Sequence, residues 1–137
     1  MNETITAILS AKTFAVVGAS ANTEKFGYKV WHMLRQHGKT AYAVNPNVTE
    51  IAGEVVYPSL ADLPETPEAV IAVVPPEVTE TLPAQLAVAG IRYLWLQPGA
   101  ESETAVANAQ AHDIGVVHRG PCILVQARAI WNMPHGT

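Results

Sequence analysis

Short apolar runs that end on glycine or proline constrain this chain more than any other feature. Phe14-Ala15-Val16-Val17 contains no polar residue and stops at Gly18. Residues 69–74 form the same kind of run and stop at Pro75-Pro76, and Tyr93–Leu96 stops before Gln97-Pro98-Gly99-Ala100. A strand without a polar side is one buried on both faces, as in a parallel sheet covered by helices. Proline has no N–H to give to a ladder, and glycine turns without a Cβ penalty, so the runs end where these residues stand.

Helical spacing fills the intervals. Tyr28, Val30, Trp31 and Leu34 mark a helix over Phe26–Gln36 that closes near Gly38. Asn2 is expected to cap a first helix with Ile5, Ile8 and Leu9 on one face. Further helices are predicted over 77–89, 101–112 and Ile123–Trp131, with one turn over 60–63 capped by Ser59. The first strand is predicted at Thr13–Val17, and the remaining ones at Thr40–Val44 and 116–118. Residues 48–58 should carry a turn at Gly53 and a short extended piece over 55–57. Residues 132–137 show no pattern. Strands alternating with helices mean βαβ units. The prediction is an α/β, three-layer Rossmann-like fold with a five-stranded, mainly parallel sheet. Its 137 residues suit one domain, 1–137, with a core of about 13–122.

Several function classes drop out on composition. The net charge of −4 and the lack of a basic cluster argue against nucleic-acid partners. No apolar run is long enough for a membrane span. The start, Met1-Asn2-Glu3-Thr4-Ile5-Thr6, lacks the basic flank and apolar core of a secretory signal, so a cytoplasmic protein is expected. One cysteine, Cys122, cannot form an internal disulfide, and no Cys/His spacing suits zinc, so no metal is expected.

Ligands of such sheets sit at the carboxyl ends of the strands, which makes the turns there informative. Strand, Gly18 and a helix beginning near Phe26-Gly27 present backbone N–H groups and a positive dipole end to a phosphate. The same glycine would also serve a tight turn that binds nothing. A nicotinamide dinucleotide site wants G-x-G-x-x-G, but positions 18, 20 and 23 are Gly, Ser and Thr. It also wants an acid after the second strand, where Asn45-Pro46-Asn47 stands. A phosphate can still be held by Ser20 and the backbone of the turn, with Lys25 supplying charge. A receiver domain would need acids where Gly18 and Pro75 follow their strands, and the nucleophile elbow G-x-S-x-G is missing. The five histidines have no carboxylate placed for a recognisable triad. His118 and Cys122 form a conceivable pair, against the simpler reading of Cys122 as inert packing.

In this order and spacing, Val17-Gly18-Ala19-Ser20, Lys25-Phe26-Gly27, Val44-Asn45-Pro46, Ile51-Ala52-Gly53, Tyr57-Pro58-Ser59-Leu60 and Leu94-Trp95-Leu96-Gln97-Pro98-Gly99-Ala100 form a specific set. The chain resembles the small stand-alone coenzyme A-binding proteins, relatives of the nucleotide-binding domain of the succinyl-CoA synthetase α subunit. The resemblance implies that Gly18, Ala19, Ser20, Lys25, Phe26 and Gly27 hold the coenzyme's phosphates. It implies that Asn45, Pro46 and Asn47 flank the adenosine, and that Val74, Pro75 and Pro76 pack on the nucleotide or pantetheine. Gln97 and Gly99 complete the implied set. Prolines fit these strand ends, since an apolar wall suits an adenine face. The family's usual Asp-Arg-Cys after the fifth strand reads His118-Arg119-Gly120-Pro121-Cys122 here, and Val125 replaces its glutamate. The expectation is therefore non-catalytic binding of CoA or an acyl-CoA, with no catalytic residue. The alternative is a small enzyme or subunit, nicotinamide-dependent or acyl-CoA ligase-like, completed by a partner chain. A protein partner or homo-oligomer is compatible with both.

Overall fold

A computed structural model describes residues 1–131. The 132–137 tail, read above as patternless, lies outside the described residues. In order come α1 (Asn2–Leu9), β1 (Thr13–Val17), α2 (Phe26–Gln36), β2 (Thr40–Val44), β3 (Glu50–Ile51), β4 (Glu54–Tyr57), a 3-10 turn (Leu60–Asp62) and β5 (Ala69–Ala72). Then follow α3 (Pro76–Thr79), α4 (Leu82–Ala89), β6 (Tyr93–Leu96), α5 (Glu103–Ala111), β7 (Gly115–Val117) and α6 (Ile123–Trp131).

The α/β class is as expected, but the sheet has seven strands among the described residues, not five, in the order β3-β4-β2-β1-β5-β6-β7. The two additional strands come from 48–58. Ala52 and Gly53, both at positive φ, close a hairpin in which β3 pairs antiparallel with β4. β4 then joins the edge of β2 in parallel through Ala43↔Val56 and Val44↔Tyr57. A two-residue strand leaves almost no alternation in sequence, which is why only the extended piece at 55–57 was legible. All other pairings are parallel.

Both faces are covered, so β1 is apolar on both sides. Phe14 and Val16 belong to the core with Ile8 of α1, Trp31 and Leu34 of α2, and Ile123 of α6. Ala15 and Val17 face the other core, with Leu82 and Leu86 of α4 and Ala109 of α5. Trp31 reaches from α2 to the outer strands, where its indole N–H donates to the Ala41 carbonyl at 3.1 Å. Among the described residues no helix is long and apolar enough to cross a membrane.

Several local expectations are revised. The helix over 77–89 is two helices, α3 and α4. Pro83 cannot donate to the Thr79 carbonyl and its ring would clash there, so the chain breaks at 80–81 and restarts with the proline in the first turn of α4. Met1, not Asn2, occupies the cap position of α1. The Ser59 hydroxyl donates to the Asp62 carboxylate instead of accepting a backbone N–H. The run at 69–74 ladders only as far as Ala72, because Val73 and Val74 turn into the carboxyl edge. There the Val73 N–H donates to the Val17 carbonyl at 2.8 Å.

Candidate functional site

The strand order reverses at β1. The chain runs outward through β2 and returns to β1's other side as β5. The crevice outside the carboxyl ends of β1 and β5 is therefore where such a fold takes a ligand. A cleft of about 680 Å³ opens at that point.

Its floor is made by two glycines in contact. Gly18 ends β1 at φ +95°, and a Cβ there would lie 2.1 Å from the Val73 carbonyl oxygen. Gly27, in the first turn of α2, is buried, and a Cβ on it would lie 2.0 Å from the Gly18 carbonyl oxygen. Only a missing side chain on both lets α2 start directly against the turn after β1. The turn between them is tied by short-range hydrogen bonds. Asn22 N–H donates to Ser20 Oγ at 3.1 Å, and Glu24 N–H to Asn22 Oδ1 at 2.9 Å. Lys25 holds the cap position of α2 in an extended conformation, and no side chain caps the helix. Its positive end faces the cleft beside the exposed Lys25.

One wall comes from the turn after β2. Asn45 Nδ2 donates to the Ala19 carbonyl at 2.8 Å, and Asn45 Oδ1 accepts the Asn47 N–H at 2.8 Å. A single side chain thus fixes its own turn and the turn after β1 to each other. Pro46 and Asn47 line the cleft beyond it, and Val74 and Pro75 form the opposite wall. Phe26 stands at the lip, 56% exposed, with Lys29 Nζ 5.4 Å from its ring centre.

Of the residues named from sequence, Gly18, Ser20, Lys25, Phe26, Gly27, Asn45, Pro46, Asn47, Val74 and Pro75 come together here. Ala19 is buried and takes part through its carbonyl. Pro76 begins α3 behind the wall. Gln97 lies elsewhere. It is 2% exposed, its Oε1 accepts the Ile123 N–H at 2.7 Å, and its Nε2 donates to Cys122 Sγ at 3.4 Å. It satisfies the first N–H of α6, a packing role that a strand-end glutamine does not announce in sequence. Gly99 is exposed in the following turn, with its N–H donating to Glu101 Oε1 at 2.9 Å. Sequence reading did not name Val17, Glu24, Val73 and Val78 as site residues, and they also line the cleft. Glu24 could have been found from its place inside the Ser20–Lys25 turn, while Val78 had no signal beyond following two prolines.

The conceivable His118–Cys122 pair is not part of this cleft. His118 lines a separate depression with Glu101, Ser102, Val106 and Arg119. Burial, with the adjacent Arg119 guanidinium second, holds its imidazole below the ordinary histidine range, against a weaker opposite pull from Glu101. Cys122 is half-buried against Gln97. Among the described residues no three His, Cys, Asp or Glu side chains group as a metal site would require.

Residues 12–128 match the model of the CoA-binding domain family. The chain belongs to that family. Over 64 residues it is 44% identical to an ADP-forming acetate–CoA ligase, form I, of Archaeoglobus fulgidus. That stretch is 47% of this chain but only 9% of the ligase. A hypothetical protein from Pyrococcus horikoshii OT3 superposes with a TM-score of 0.89 at 30% identity, covering 96% of this chain and 92% of its own. A conserved hypothetical protein from Pyrococcus furiosus does so at 0.78 and 36%, covering 84% and 98%. The family's CoA-binding domain thus takes in every element from β1 into α6.

Two consequences can be measured. Gly27→Ala should cost about 3 kcal/mol in chemical denaturation, because neither the Gly18 carbonyl nor the buried helix start can give way. His118 is held below its unfolded value, so the unfolded state takes up its proton first as pH falls. Its contribution to stability is full above the usual histidine pKa and is lost progressively as pH drops below it. His118→Gln should accordingly flatten the decline in melting temperature between neutral and mildly acidic pH.

Proposed function

We propose that the cleft binds coenzyme A or an acyl-CoA, and that this chain does so without catalysis of its own. The observation that carries the reading is the Gly18–Gly27 contact, which brings an uncapped helix start and the Ser20 turn to the mouth of a cleft large enough for a nucleotide. A phosphate placed there meets backbone N–H groups, the Ser20 hydroxyl and Lys25. Pro46 and Pro75 offer apolar walls to an adenine ring, and Asn45-Pro46 after β2 offers no carboxylate to a ribose diol, which favours CoA over a nicotinamide dinucleotide. Binding without turnover is supported by the placement of His118 and Cys122, the two groups suited to acid–base or thiol chemistry, which stand outside this cleft.

A second reading, in which the chain is the CoA-binding part of a larger ligase-like assembly, is favoured by its likeness to 9% of an acetate–CoA ligase. A CoA-dependent complex with another chain would distinguish it from the first.

CoA should raise the melting temperature more than NAD or NADP at equal concentration, since selective binding to the native state stabilises it by mass action. An equal or larger shift with NAD would overturn the assignment. Lys25→Glu should weaken CoA binding about tenfold, roughly 1.4 kcal/mol, and the difference should shrink as salt is added. Lys25 is exposed, so the variant should unfold at the wild-type temperature without ligand.

A further inference from the structure

The helices on the two faces of the sheet differ in charge. Residues 62–113, which supply α3, α4 and α5, hold eight of the chain's twelve acidic residues and one basic residue, Arg92. From Lys25 to Thr49, and again from Ile114 to Trp131, the chain has no Asp or Glu. α2 and α6 lie within those two stretches and pack against each other on the Phe14 and Val16 side of the sheet. No basic cluster stands in the sequence, yet the fold gathers one from distant parts of the chain.

Between these helices runs a groove of about 340 Å³, lined by Lys29, Met33, Gln36 and His37 on the α2 side and by Leu124 and Arg128 of α6. Met33 and Leu124 are half-buried and make an apolar floor, while Lys29, His37 and Arg128 are exposed at the rim. At one end the Trp131 ring lies 5.0 Å from the His37 ring and 5.0 Å from Lys39 Nζ, which adds a further positive charge. Arg35, also on α2, is paired with Glu54 at 3.0 Å, the one ion pair among the described residues. The cations of the groove have no such partner there.

Spacing and floor together narrow the occupant. Lys29 and His37 are eight residues apart, about 12 Å along the helix, farther than one phosphate or carboxylate can bridge. An occupant must therefore carry several negative charges over a comparable length. A nucleic-acid backbone or a layer of lipid headgroups does so, but offers nothing apolar to Met33 and Leu124. At an anionic membrane Lys29, Lys39 and Arg128 would contribute roughly 3 kcal/mol, against the repulsion of a chain at −4. An acidic amphipathic helix supplies both parts, carboxylates for the rim and an aliphatic side chain for a floor whose methionine adapts to it. We propose that the groove between α2 and α6 docks such a helix from another protein, with its carboxylates on Lys29, His37 and Arg128. A second copy offering its own acid-rich layer would instead make a head-to-tail contact that repeats from chain to chain.

The test uses the full chain and a fluorescein-labelled peptide of about fifteen residues, with Glu at three- and four-residue spacing around a central Leu. Fluorescence anisotropy at low salt should show saturable binding. Arg128→Glu and Lys29→Glu should each weaken it about tenfold, and Arg92→Glu, on the acid-rich side, should not. Replacing every Glu of the peptide by Gln, or its Leu by Ser, should weaken binding to a similar degree. Lys29 and Arg128 are exposed, so both variants should melt like the wild type without peptide. No binding at about 1 mM peptide, equal binding of the Gln peptide, or binding unchanged by Arg128→Glu would each overturn the proposal. So would tighter binding to phosphatidylserine-containing vesicles or to a single-stranded oligonucleotide, or salt-sensitive growth of assemblies by the chain alone. Arg128→Glu should keep the rise in melting temperature that CoA produces, so loss of docking and loss of CoA binding are separate outcomes.

Discussion

The approach of Gly27 to the Gly18 carbonyl governs the arrangement of the ligand edge. With it, the axis of α2 points into the crevice between β1 and β5. Without it, α2 would have to retreat, and Val30, Trp31 and Leu34 would leave the core with it. Packing and the shape of the cleft therefore share one requirement. The helix is held by burial of its apolar side, worth on the order of 2 kcal/mol for each large side chain, while its first turn is left uncapped and turned toward the cleft. A cap residue there would stabilise the helix further and occupy the N–H groups that an anion would use.

Asn45 extends the same economy to the neighbouring turn. Its amide bonds the Ala19 carbonyl and accepts from Asn47, so the β2 turn is fixed to the β1 turn by one short side chain. On the other side, Trp95 Nε1 donates to the Pro121 carbonyl at 3.0 Å and Gln97 satisfies the start of α6. Two carboxyl-edge positions of β2 and β6 thus carry polar side chains with different duties, one framing a cleft and the other closing a core.

Elements with a strong periodic signal were legible in sequence to the residue. β1, α2, β2, β6 and α6 have the bounds that apolar spacing and the flanking Gly and Pro residues set for them. What escaped depended on contacts across the chain. The β3–β4 hairpin is a strand pair only because β2 offers an edge for β4, which no local pattern encodes. Pro83 divides the helix predicted over 77–89 because it has no N–H to give the Thr79 carbonyl, a break that the flanking apolar residues do not signal. At the site, the glycines and Asn45 announced themselves through backbone chemistry. Gln97 did not, because the N–H it satisfies lies 26 positions away.

The sheet ends differently on its two sides, and both ends are guarded. On one side, β4 covers only the last two residues of β2, leaving Ala41 at an open stretch of edge, where the Trp31 indole occupies its carbonyl. Beyond it β3 is two residues long and carries Glu50. On the other side β7 is three residues long and α1 packs against it. A passing strand finds no ladder long enough to extend at either border. A chain this rich in β-branched residues, which would polymerise readily if its edges were bare, is confined to meeting other molecules through helices and turns.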